Sequence, residues 1–275
     1  MQRIFLFNLI FILGQSFQLK AQGDLLVTPT RVVFDGNNQK EALNLVNLGK
    51  DTATYSISFI QYNMREDGSF VAIDKPDSGQ MFADPYLRIF PRQISLAPGE
   101  PQVIMLQCRR KADMPEGEYR SHIYFRSKNN NKPLGINNSG KDTTLLSVQL
   151  IPVYGLSIPV IIRTGAVNVQ ASLSDLKIDT RQEAMQTLSL TINRTGNISV
   201  YGDIIVEYIP AKGKSYEIGS VKGVGIYTNI NKRKIIMNLN NTSGKPLTSG
   251  KLKVQYISNG DAKRVIYAEG EMDVK

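Results

Sequence analysis

An all-β fold of two β-sandwich domains is what this chain predicts. Three features carry the prediction: short runs of alternating apolar residues, turn residues between nearly all of them, and no sustained helical period. The most telling run lies between Leu146 and Ile162. There Leu146, Val148, Leu150, Tyr154, Leu156, Ile158, Val160 and Ile162 share one face, and Pro152 alone interrupts it. At roughly 3.3 Å per residue such a strand spans about 55 Å, whereas a sandwich of some 140 residues is only about 35 to 40 Å across. A continuous or bulged strand here overhangs its own domain and offers apolar side chains to a partner. Pro152, Gly155 and Pro159 also allow the run to divide into two ordinary strands.

The elements follow in order. Residues 1–22 read as a secretory signal peptide: Arg3 near the start, an apolar stretch from Ile4 to Leu13, then small or polar residues ending near Ala21. The stretch is too short to span a bilayer, and no later segment resembles a membrane span. Cleavage removes Arg3 and Lys20 and lowers the formal charge from +9 to +7. The remaining excess of base is spread along the chain. In an exported protein this argues against nucleic acid and for solubility or acidic partners.

Strand-like runs then cover Leu25 to Phe34, Ala42 to Leu48, Thr54 to Tyr62, Arg88 to Leu96, Val103 to Arg109, Tyr119 to Arg126, and the long run ending at Arg163. Asp35-Gly36-Asn37-Asn38, Asp67-Gly68, Ala97-Pro98-Gly99-Glu100 and Met114-Pro115-Glu116-Gly117 punctuate them. Seven strands with such turns read as an immunoglobulin-like sandwich over residues 23–163. The pattern restarts after Thr164-Gly165 with seven further runs, from Val167 to Ile178 through Arg264 to Val274, giving a second sandwich over 164–275. A short connection at Arg163 predicts that the two domains meet at a bend and enclose a cleft. Between the sixth and seventh strands, Lys128 to Thr144 is rich in Asn, Gly, Lys and Ser and reads as a long loop.

A single cysteine, Cys108, excludes an internal disulfide, and its place on an apolar strand face predicts a buried small hydrophobe. The only histidine, His122, alternates with the apolar residues of Tyr119 to Arg126 and is expected on the strand's surface. One His and one Cys supply no metal site of the usual kind and no evident nucleophile–base pair. No Gly-rich phosphate loop occurs, and Glu66 with Asp67 reads as a solvated hairpin tip. The chain is expected to be no enzyme and to need no cofactor.

Four motifs in order resemble the PapD-like periplasmic pilus-assembly chaperones. They are Thr28-Pro29-Thr30-Arg31-Val32-Val33-Phe34, Phe90-Pro91-Arg92 through Leu96-Ala97-Pro98-Gly99-Glu100, Met114-Pro115-Glu116-Gly117-Glu118-Tyr119-Arg120-Ser121, and the long alternating run. The resemblance covers about Leu25 to Arg163 well and the second half mainly by strand count. It implies a boomerang of two immunoglobulin-like domains that caps unassembled pilus, fimbrial or other envelope subunits in the periplasm, with an outer-membrane usher as a further partner. The seventh strand would complete the subunit's sheet, a mode of strand addition known for chaperone–pilin pairs. Leu146, Val148 and Leu150 would then fill successive subunit pockets. Arg31 would sit in the interdomain cleft and bind the subunit's terminal carboxylate, a role that suits the fixed fork of a guanidinium. Where the family carries a cleft Lys on that strand, this sequence has Ser157, and Arg163 or another base is left to compensate. An exposed strand edge also predicts self-association. The competing reading is a structural cell-envelope or filament component built of immunoglobulin-like domains. A PapD-like module serving other envelope assembly is a third.

Overall fold

Alternation of apolar and polar residues puts one side of nearly every strand into one of two hydrophobic cores. The structure, a computed structural model, describes residues 25–128, 153–179, 186–240, 247, 249–258 and 264–274. The expected signal peptide, the loop beyond Lys128, and Leu146, Val148 and Leu150 lie outside these residues.

In the N-terminal half the strands are β1 (Leu25–Thr28), β2 (Val32–Phe34), β3 (Lys40–Asn47), β4 (Ala53–Ile60), β5 (Tyr62–Met64), β6 (Phe70–Ala72), β7 (Leu87–Phe90), β8 (Gln93–Leu96), β9 (Pro101–Cys108), β10 (Gly117–Ser127) and β11 (Gly155–Thr164). They form one sheet ordered β1-β3-β9-β7, a second ordered β2-β11-β10-β4-β8, and the small hairpin β5-β6. The first core lies between the two larger sheets, with Phe34, Leu43, Leu45, Leu106, Ile123, Phe125 and Val160 fully buried in it. Cys108 belongs to this core at 1 % exposure, as its strand position predicts.

Two runs read as single strands are each split by a proline. Leu25 to Phe34 divides around Pro29, and Arg88 to Leu96 divides around Pro91. A proline has no N–H for the ladder, so the chain leaves one sheet there and joins the other. Periodicity alone cannot register this, because both pieces keep an alternating pattern.

The C-terminal half contains β12 (Val169–Asp179), β13 (Thr187–Gly196), β14 (Val200–Pro210), β15 (Tyr216–Ile226), β16 (Lys232–Asn238), β17 (Gly250–Ser258) and β18 (Ile266–Val274). Their sheets run β12-β13-β16 and β15-β14-β17-β18 around a second core that includes Leu188, Ile192, Ile204, Val206, Leu252, Val254 and Tyr256. All seven runs expected there are strands.

The β5-β6 hairpin was legible only as its Asp67-Gly68 turn. It does not simply point into solvent. The backbone N–H of Lys234 on β16 donates to the Glu66 carbonyl at 2.7 Å, the Lys234 ammonium pairs with the Glu66 carboxylate at 3.1 Å, and Asn229 donates to the Met64 carbonyl at 2.8 Å. Gly68, at φ +84°, passes so close to Arg233 that a Cβ would fall 2.4 Å from its guanidinium. The hairpin thus ties the N-terminal half to the edge of β16.

Candidate functional site

β10 presents two faces of opposite character. Tyr119, Ile123 and Phe125 enter the first core, while Glu118, Arg120 and His122 project the other way, toward the C-terminal half. Antiparallel register sets Arg163 opposite Glu118, Ile161 opposite Arg120, Pro159 opposite His122 and Ser157 opposite Tyr124 on β11. Arg31 directly precedes β2, whose Val32 and Phe34 point into the core. A charged face has therefore been assembled on a sheet whose reverse is mainly apolar, with the buried Ser121 hydroxyl accepting from the Ala83 and Asp84 backbone N–H groups.

Glu118 is the hub of this face at 1 % exposure. Its Oε1 accepts from Arg120 Nη2 at 2.5 Å, and its Oε2 accepts from the Ser199 backbone N–H at 3.0 Å, the Ser199 hydroxyl at 2.8 Å and Arg163 at 3.4 Å. Burial by itself pushes this carboxyl upward. The Arg120 and Arg163 charges and the Ser199 hydrogen bonds overcome that and bring it down to about 2. Arg120 Nη2 also donates to Ser199 Oγ at 2.6 Å, and its guanidinium lies 3.7 Å from the centre of the Tyr227 ring. Both Ser199 and Tyr227 belong to the C-terminal half, so this network crosses the junction.

The expectation that His122 lies on the surface is overturned: it is 4 % exposed. Its Nε2 stands 3.2 Å from the Tyr227 hydroxyl, and its ring packs edge-on against Tyr62 at 4.9 Å between centres. Burial, then the Arg120 and Arg31 charges, hold it down at about 3, so it is neutral at physiological pH. The strand face is polar as read, but the C-terminal half and the β5-β6 hairpin cover it.

Arg31 stands apart from its neighbours. Its guanidinium lies over the Tyr201 ring of β14, 4.6 Å from the centroid, and among the described residues it makes no hydrogen bond or ion pair. Burial, followed by the Arg120 charge, lowers it to about 10; Arg163 acts the same way and Glu118 opposes. Two of the three arginines thus share one carboxylate, and among the described residues Arg31 is left without an ion pair. The face thus carries three guanidiniums and one carboxylate, and Ser157, opposite Tyr124 on β11, adds no base.

β11 shows a gradient along its apolar face. Ile162, Val160 and Ile158 are buried at 0 %, 0 % and 3 %, whereas Leu156 is 38 % and Tyr154 36 % exposed. β2 pairs with β11 only at Val160, Ile161 and Ile162, so among the described residues that edge has no strand partner from Gly155 to Pro159. The assigned strand starts at Gly155, although the ladder to β10 reaches one residue further through Ser127 N–H to the Tyr154 carbonyl.

Glu118, Arg120, Tyr201 and Tyr227 were not singled out by sequence. No local signal marked the first two, because Glu118 and Arg120 alternate with His122 just as solvent-facing residues do. Among the described residues, no group of three or more His, Cys, Asp or Glu could hold a metal ion.

No protein-family model matches the chain, and no curated protein does. Solved structures that it resembles include the YadV chaperone (14 % identity, 92 % of this chain and 100 % of that one, TM-score 0.45). Others are the Pseudomonas aeruginosa CupB2 chaperone (12 %, 91 % and 100 %, TM-score 0.43) and the CsuC–CsuE chaperone–subunit complex of Acinetobacter baumannii (12 %, 92 % and 98 %, TM-score 0.43). At these scores they are likenesses only.

Proposed function

We propose that the protein is a periplasmic chaperone of two immunoglobulin-like domains, 23–163 and 164–275, set as a boomerang. It caps exported pilus or other envelope subunits by adding β11 and its N-terminal extension to an incomplete subunit sheet. The observation that carries this reading is the β11 gradient: one alternating face passes from full burial at Ile162 to open exposure at Leu156, beside an edge that β2 leaves unpaired. Backbone donors and acceptors on such an edge accept an incoming strand, and the exposed apolar positions provide side chains for its pockets. In the sequence, the same period-two alternation runs on to Leu150, Val148 and Leu146. Each, once buried in a subunit, contributes roughly 1.5 to 3 kcal/mol before ordering costs. Arg31 is the anchor for the subunit's terminal carboxylate, since among the described residues its guanidinium rests on the Tyr201 ring and makes no hydrogen bond.

The test is recovery of the mature protein from the periplasm with whatever co-purifies, identified by mass spectrometry, for wild type and for Val148→Glu and Arg31→Ala. A small exported subunit held by wild type, lost with Val148→Glu and weakened with Arg31→Ala, is the expected result. An unaltered partner list would return the protein to the structural envelope class.

A further inference from the structure

Two arginines of the N-terminal half rest on two tyrosines of the C-terminal half: Arg120 on Tyr227 at 3.7 Å and Arg31 on Tyr201 at 4.6 Å. The pairs look alike but differ in what the guanidinium edge does. Arg120 Nη2 is occupied by Glu118 and Ser199, so that pair closes the junction. Among the described residues, Arg31 has only the ring. A guanidinium can rest its face on an aromatic ring while its in-plane N–H donors remain available, which an ammonium cannot do with the same geometry.

Tyr201 is itself held firmly. It pairs with Gly225 across the β14–β15 ladder, and its ring lies close over the glycines of β15. A Cβ on Gly223, which sits at φ +72°, would fall 2.9 Å from the Tyr201 hydroxyl, and one on Gly225 would fall 3.5 Å from the ring. Bulkier residues at either place would press on the ring. The glycines therefore seat the ring, and the ring seats the guanidinium.

We propose that Tyr201 is a positioning residue for carboxylate capture, holding Arg31 by its face so that its N–H edge is presented to the terminal carboxylate of a bound chain. The inference rests on the carboxylate reading of Arg31 and adds to it a requirement for the C-terminal half. Affinity for a chain terminus then depends on how the halves are set against each other, although Arg31 belongs wholly to the first.

The test uses the full mature protein and a labelled peptide of alternating Val and Thr, made with a free C-terminal carboxylate and as its carboxamide twin. Wild type should bind the acid about tenfold or more tightly than the amide, the range of a charge-assisted pair. Tyr201→Phe should keep that ratio. Tyr201→Leu should cut it by about three- to tenfold, the worth of a partly desolvated cation–π contact, with amide affinity unchanged and the melting temperature lowered by only about 2–4 °C. Tyr201→Met serves as a second variant if the branched Leu lowers stability further. A Tyr201→Leu protein that keeps the wild-type ratio, or that loses both peptides equally, overturns the positioning role. Wild type that binds acid and amide alike overturns the carboxylate reading of Arg31, and Tyr201 with it.

Discussion

Replacing Glu118 by Gln keeps the size of the side chain and removes the charge that two arginines share. The glutamine amide can still accept from Ser199, but Arg120, 9 % exposed, then lies at the junction with no counter-charge. Removing one partner of a buried pair typically costs about 3 to 5 kcal/mol, because the other charge is left uncompensated. A second route gives a similar size. Glu118 is held at about 2 against an ordinary 4.5, which by linkage is on the order of 3 kcal/mol at neutral pH. The sign follows from a depressed acid. The stabilisation is fully present above the unfolded-state value near 4.5 and is lost as pH falls toward 2, so that roughly 1 kcal/mol remains at pH 3. Urea unfolding of wild type and Glu118→Gln at pH 7 and pH 3 measures this. The expected result is a gap of about 3 kcal/mol that narrows by about two-thirds at the lower pH. A gap that stays constant with pH, or a variant as stable as wild type, would refute the reasoning.

His122 should show no imidazole titration by NMR between pH 8 and pH 5, because burial and two guanidinium charges keep it neutral to about 3; a midpoint near the ordinary 6.5 would show that the junction is open to water. As a depressed base it opposes stability below pH 6.5, where the unfolded chain takes up a proton that the folded one refuses. Gly68→Ala should destabilise by about 1 kcal/mol or more, from its positive φ and from displacement of the Arg233 guanidinium, with faster hydrogen exchange at Lys234 N–H than in wild type. Unchanged exchange there would mean that the hairpin does not depend on this close approach.

The strand inventory was legible in the sequence because period-two alternation is a local property. Burial of one sheet face demands it wherever the strand sits, so Ala42 to Leu48, Val103 to Arg109 and all seven C-terminal runs could be read directly. Arg31 was legible only through its motif, Cys108 through its place on an apolar face. The sequence by itself thus determined which segments form strands and which face of each is apolar. What only the tertiary structure decided is what meets the polar faces. His122 and Arg120 alternate just as solvent-facing residues do, and their burial depends on Tyr227, Ser199 and the β5-β6 hairpin, which lie far away in the chain. Likewise the splits at Pro29 and Pro91 depend on a second sheet being present to receive the strand. Periodicity records which side of a strand avoids water; whether another part of the molecule covers the opposite side is set by contacts between distant segments, and no local pattern encodes them.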